Sequence, residues 1–215
     1  MSLIRILLPV IFLAPLIPVR AQSEGSMEYV LSMPKPETHY YHVIFRCNGI
    51  HKDTLDLTMP AWTPGYYQIL DYAQNLEHFR ASDAQGRELG WEKATPNVWR
   101  VPVPGKRKGP VVVEYDIRAT TQFVAQSWLD TTRGYVTPAS VFFYVAGYLQ
   151  HPVTVTVQPW PKWGVVATGM DTVAGRRHVY RAPDLDVLYD SPILVGDLET
   201  LPPFYVQGIP HYFTG

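Results

Sequence analysis

At 215 residues the chain is long enough to bury the core of one β-rich domain, and a net charge of −1 excludes the basic surplus that nucleic-acid or polybasic membrane binding needs. Charged residues make up 17%, aromatics 13%, and there are 20 prolines, a mix that favours short strands joined by rigid turns over a helical bundle. A single cysteine, Cys47, excludes any intrachain disulfide, so the fold must rest on its hydrophobic core.

The N-terminus has the pattern of a signal peptide over residues 1–21. Met1 to Arg5 gives a positive start, and Ile6 to Val19 is an apolar run interrupted by Pro9, Pro15 and Pro18. Val19-Arg20-Ala21 then offers small or apolar side chains where a signal peptidase reads, which predicts cleavage after Ala21 and Gln22 as the mature terminus. The alternative, a transmembrane anchor, suits a longer and uninterrupted run. No stable membrane anchor is expected, and export implies the periplasm or the extracellular space.

Residues 22–215 read as one domain of successive strands. Glu28 to Met33 is the first. His39 to Cys47 and Thr54 to Met59 flank Asn48-Gly49, which predicts a hairpin with a slightly extended loop. Cys47, in an apolar-rich strand, reads as a small core residue. Trp62-Thr63-Pro64-Gly65-Tyr66-Tyr67 follows, and then Asp71-Tyr72. Pro-Gly reverses the chain tightly, and the large aromatics around the reversal need something to cover them. They serve either the core or a docking surface.

Leu76 to Ala81 and Arg87 to Lys93 flank the turn signal Asp83-Ala84-Gln85-Gly86, and Asn97 to Val103 is a further strand. Lys106-Arg107-Lys108 reads as a solvated hairpin tip. Val111, Val113, Tyr115 and Ile117 alternate with Glu114, Asp116 and Arg118, and Val153, Val155 and Val157 alternate with Thr154, Thr156 and Gln158. Each apolar face needs a partner layer. Ser140 to Ala146, apolar on both faces, reads as a central strand, and Asp184 before Leu185 and Leu188 predicts one short helical turn within Pro183 to Tyr189. The predicted fold is all-β, a twisted β-sandwich-like domain of many short antiparallel strands with minimal helix.

No reaction centre is visible. His-Glu-x-x-His, a Gly-x-Ser-x-Gly elbow and phosphate-cradling glycine loops are missing. His39 and His42, three apart, face opposite sides of a strand, and the remaining histidines are scattered and read as surface or core-edge residues. Asp184 with Asp186, or Asp71 with Asp130, are the pairs a self-contained hydrolase would use, although acidic residues in loops are usually caps and turn formers.

The ordered landmarks carry more information than any single residue. Met59-Pro60-Ala61-Trp62-Thr63-Pro64-Gly65-Tyr66-Tyr67, followed by Asp71-Tyr72-Ala73-Gln74-Asn75-Leu76, resembles the signature of the glycyl aminopeptidase family of zinc metallopeptidases, in its N-terminal β-domain. Asn97-Val98-Trp99, Trp128-Leu129-Asp130, Val141-Phe142-Phe143, Trp160-Pro161-Lys162-Trp163 and Leu188-Tyr189-Asp190-Ser191-Pro192-Ile193 continue the resemblance in order, from roughly Met27 to His211. In that family a thermolysin-like domain carrying His-Glu-x-x-His and a downstream Glu follows, and no position here matches those zinc ligands. The resemblance implies a non-catalytic fragment, inactive alone. Its partners would be its own catalytic domain, which holds the zinc, and the parent enzyme's peptide substrate, and no cofactor belongs to this chain. Trp62, Pro64, Gly65, Tyr66, Tyr67, Asp71 and Tyr72 become candidates for an interdomain face or substrate wall. The competing expectation is a free-standing secreted β-sandwich that binds peptide or glycan.

Overall fold

A computed structural model describes residues 25–49, 52–103 and 109–215. The expected signal peptide, His51 and the Lys106-Arg107-Lys108 tip lie outside the described residues. The first half of the chain forms strands β1 (Ser26–Ser32), β2 (Tyr40–Asn48), β3 (Thr54–Thr58), β4 (Leu76–Ser82), β5 (Glu92–Thr95), β6 (Val98–Pro102) and β7 (Val111–Arg118). Next come β8 (Trp128–Leu129), β9 (Arg133–Val136), β10 (Tyr144–Val145), β11 (Val153–Gln158), β12 (Val165–Thr168), β13 (Asp171–Thr172) and β14 (Val179–Ala182). Helix α1 (Leu185–Tyr189), β15 (Ile193–Gly196), β16 (Phe204–Val206) and β17 (Ile209–His211) complete the order. The all-β expectation holds, with α1 where the Asp184 cap signal placed it.

A seven-stranded sheet in the order β13-β14-β11-β1-β2-β7-β4 forms the main layer. Two four-stranded sheets, β10-β3-β6-β5 and β12-β15-β9-β8, accompany it. Strand alternation sets its inner face: Met27, Tyr29 and Leu31 of β1, Tyr41, Val43 and Phe45 of β2, Val113, Tyr115 and Ile117 of β7, and Val153, Val155 and Val157 of β11 are all buried. Trp99 of β6 stacks on Phe79 of β4 at 5.9 Å, tying the second sheet to the first. Tyr41 of β2 reaches the third sheet, its hydroxyl donating to the Trp128 carbonyl at 2.8 Å. A side chain at Gly134 of β9 would put its Cβ 2.5 Å from that hydroxyl, so only glycine admits this contact.

Several expectations need correction. One pair is parallel: β1 runs with β11, from Met27 opposite Val153 to Ser32 opposite Gln158. β2 and β3 do not form a hairpin. Both edges of β2 are already paired, to β1 and β7, so Asn48-Gly49 (φ +66 at Gly49) passes the chain to another sheet, where β3 pairs with β6 and β10. The Asp83–Gly86 turn is present, with Gly86 donating to the Asp83 carbonyl at 2.9 Å, but pairing after it is limited to the Ser82–Glu88 bridge, flanked by the bonds from Asp83 N–H to the Arg87 carbonyl and from Leu89 N–H to the Ala81 carbonyl. The next strand is β5, which pairs with β6 rather than β4.

Ser140 to Ala146 is not a central strand. A 3-10 turn over Pro138–Ser140 leads into Val141, Phe142 and Phe143, which are all fully buried. Three successive buried side chains suit an irregular segment enclosed on every side, because a strand sends neighbours to opposite faces. Its carbonyls have no ladder and take tyrosine hydroxyls instead. Tyr115 donates to Val141 at 2.7 Å, Tyr189 to Phe142 at 3.2 Å and Tyr29 to Phe143 at 2.6 Å. Burial holds all three phenols above their ordinary titration range.

Candidate functional site

The aromatic corner begins just after β3. Tyr66 N–H donates to the Thr63 carbonyl at 3.2 Å around Pro64-Gly65, and Gly65 has φ +80. Proline at the first central position and a left-handed glycine at the second make this a type II turn. A Cβ at Gly65 would meet nothing within 4 Å, so backbone conformation rather than space demands the glycine. Leu70 N–H closes the excursion on the Ala61 carbonyl at 2.8 Å.

The candidate residues divide between surface and core. Trp62 is 48% exposed and Tyr67 86% exposed, their rings stacked at 6.4 Å. Pro64 and Gly65 are exposed, and half-buried Tyr66 meets Phe123 edge-on at 5.0 Å. Asp71, exposed and left-handed at φ +43, turns the chain inward, so that Tyr72 is fully buried and its hydroxyl donates to the Ala125 carbonyl at 2.6 Å. Burial pushes the Tyr72 phenol up as well.

Opposite the corner stands α1. The Asp184 carboxylate caps it by accepting from Val187 N–H at 2.8 Å, and Leu185 and Leu188 anchor it in the core. Asp190 N–H donates back to the Asp186 carbonyl at 3.0 Å, and Ser191 Oγ to the Val187 carbonyl at 2.7 Å. Two clefts open between corner and helix. The smaller, about 360 Å³, is edged by Tyr66, Val124, Tyr135 and Thr137, and the larger, about 650 Å³, by Trp62, Tyr144, Leu149 and Asp186. Pro64, Tyr189 and Asp190 line both. The two sequence landmarks, Trp62–Tyr67 and Leu188–Ile193, therefore meet in space and build one surface.

The other candidates are structural. Cys47 is 3% exposed, and burial pushes its thiol up to about 12, far from a reactive thiolate. The Asp130 carboxylate accepts from Thr132 N–H at 2.7 Å and Arg133 N–H at 3.2 Å. Burial alone would raise its pKa, but these bonds and the Thr132 hydroxyl outweigh it and lower it. Asp71 shapes a turn and Asp184 caps a helix, the ordinary roles of acidic residues in loops.

The histidines are less scattered than the sequence indicated. His39 lies outside β2 in a left-handed conformation, its Nδ1 at the Leu129 carbonyl. His42 of β2 and His78 of β4 each place Nδ1 2.8 Å from a different oxygen of Asp116 on β7. An irregularity in β4 between Glu77 and Arg80, with φ +54 at His78, brings the second imidazole there. Among the described residues no group of three or more His, Cys, Asp or Glu is placed to hold a metal ion, and no helix is long and apolar enough to cross a membrane.

An aminopeptidase N family protein from Idiomarina loihiensis has a similar structure, with 28% sequence identity and a TM-score of 0.78 over 87% of this chain. This chain spans only 32% of that protein. An M1 zinc metallopeptidase from Deinococcus radiodurans aligns with 90% of this chain and 47% of its own at 15% identity and a TM-score of 0.45. Native yeast LTA4 hydrolase aligns with 85% of this chain and 30% of its own at 15% identity and a TM-score of 0.46. No curated protein is significantly similar in sequence to this chain. Residues 28–197, a span that includes the aromatic corner, both clefts and α1, match the peptidase M61 N-terminal domain, and the chain belongs to that family.

Proposed function

We propose that this chain is the non-catalytic N-terminal domain of an exported, zinc-dependent aminopeptidase acting on small N-terminal residues. The corner and its clefts face the catalytic domain and wall its active-site cleft. One observation carries the reading: Trp62 and Tyr67 stay stacked and exposed on a rigid turn, beside clefts built from two of the segments that carry the family resemblance. Apolar area of this kind marks an interaction surface. Residues 199–215 add more: Leu201, Tyr205, Ile209, Tyr212 and Phe213 are each at least 50% exposed around the β16–β17 hairpin.

A wall of this sort would admit a peptide's free N-terminus and exclude folded protein. Zinc belongs to the catalytic domain in this reading, since the donor groups described here do not converge on an ion. The Met1–Ala21 pattern supports export to the periplasm or beyond. The test is Trp62→Ala in the full-length parent, assayed on a glycyl-anilide at equal folded concentration. A fall in kcat/KM of about tenfold is expected, roughly 1.4 kcal/mol of transition-state stabilisation. Unchanged kcat/KM alongside lower folding stability would return Trp62 to a purely structural role.

A further inference from the structure

The larger cleft is unevenly charged. Its walls are apolar and aromatic, from Ala61, Pro64 and Leu149 to Trp62 and Tyr144, and no Lys or Arg lines it. Its charged residues are Asp186 and Asp190, both exposed. Asp190 N–H bonds to the Asp186 carbonyl, which places the two one helical turn apart on the same side of α1, where like charges repel. Neither carboxylate has a hydrogen bond or ion pair among the described residues, in contrast to Asp56, which holds Arg100 at 2.7 Å. The cleft's other hydrogen-bonding groups include two already engaged. The Asn97 amide donates to the Met59 carbonyl at 3.0 Å and accepts from the Thr95 hydroxyl at 3.1 Å, and the Tyr189 hydroxyl is held by Phe142.

We propose that this cleft is a socket for an arginine side chain presented by a partner polypeptide. The cleft's charge selects a cation, and its aromatic walls select one that stacks. A planar guanidinium lies against Trp62 or Tyr144 and offers its fork to both carboxylates. The apolar wall covers the methylene stem. A cleft of about 650 Å³ is also far larger than a bare ion needs and suits a whole side chain with its neighbour. A lysine ammonium, a compact and strongly hydrated point charge, gains less from the same walls. The socket rests on the reading of the corner as a protein-facing surface and names what the facing protein presents.

The purified 215-residue chain is titrated with acetyl-phenylalanyl-arginine amide while the Trp62 indole resonance, identified through Trp62→Phe, is followed by NMR. A saturable shift is expected. The citrulline peptide, uncharged but nearly isosteric, is expected to bind about tenfold more weakly or worse, and Asp186→Asn/Asp190→Asn to lose the same factor with the rest of its spectrum unchanged. Absence of a saturable shift overturns the socket, as does equal binding of citrulline or undiminished binding by the double variant. Phenylalanine amide, whose only cation is an α-ammonium, overturns the arginine assignment if it binds as well. The assay needs no catalytic domain, so its failure leaves the wall reading standing, and the peptide titration and the Trp62→Ala kinetics report the two failures separately.

Discussion

Removing a single oxygen atom tests the account of the irregular core segment. Tyr115→Phe keeps the ring that packs on Phe143 at 4.8 Å but deletes the donor to the Val141 carbonyl at 2.7 Å. Both partners are fully buried, so no bulk water replaces the lost bond. An unsatisfied buried carbonyl costs about 1–3 kcal/mol, of which the slightly more apolar ring recovers little. In a protein of this size that lowers Tm by about 3–9 °C, or moves the urea midpoint by about 0.5–1.5 M at a slope near 2 kcal/mol/M. Tyr29→Phe, which strips Phe143 of its 2.6 Å donor, belongs in the same range, while Tyr189→Phe, with a longer 3.2 Å bond at a half-buried position, costs less. Urea unfolding followed by tryptophan fluorescence, with an unchanged slope, measures all three. A Tyr115→Phe protein within about 0.5 kcal/mol of wild type would refute the claim that tyrosines replace the missing ladder.

Two further outcomes follow from burial and exposure. Burial lifts the Cys47 thiol from an ordinary value near 9 to about 12, against the opposing pull of Lys52, so the native state keeps its proton where the unfolded chain has lost it. This contribution is whole below about pH 9 and declines by roughly 1.4 kcal/mol per pH unit towards pH 12; the stability gap between wild type and Cys47→Ala should shrink by about that amount from about pH 8 to about pH 10, and a constant gap would contradict the assigned cause. The hairpin's exposed Tyr205 (67%) and Ile209 (62%) predict concentration-dependent self-association of the isolated chain in sedimentation velocity, abolished by Tyr205→Lys/Ile209→Lys, whereas a wild-type monomer at high concentration would sink the idea.

Alternation made the main layer legible. Val111 to Ile117 and Val153 to Val157 are buried on the faces their period assigns. Period says which face is buried but not which strand lies alongside, and so the Asn48-Gly49 turn suggested a hairpin that β2, already paired on both edges, cannot make. The same limit misread Val141–Phe143. A run apolar at every position fits a strand between two layers or an enclosed irregular segment, and the difference lies in three tyrosine hydroxyls distant in sequence.

The candidate surface was legible in its parts but not in its assembly. Trp62–Tyr67 and Leu188–Ile193 stood out separately, but their meeting depends on the whole β-scaffold between them. Nor does sequence separate Tyr67, almost bare, from Tyr72, fully buried five residues later. Both are aromatic, both follow the same turn, and each reads as core or contact. The left-handed residue Asp71 decides between them by turning the chain inward, a conformation that aspartate tolerates because its short side chain can satisfy the local backbone. Core and contact surface are thus two halves of one corner. The buried half, fixed through Tyr72 to the Ala125 carbonyl, holds the exposed half rigid, which spares a docking partner the entropy of ordering Trp62 and Tyr67.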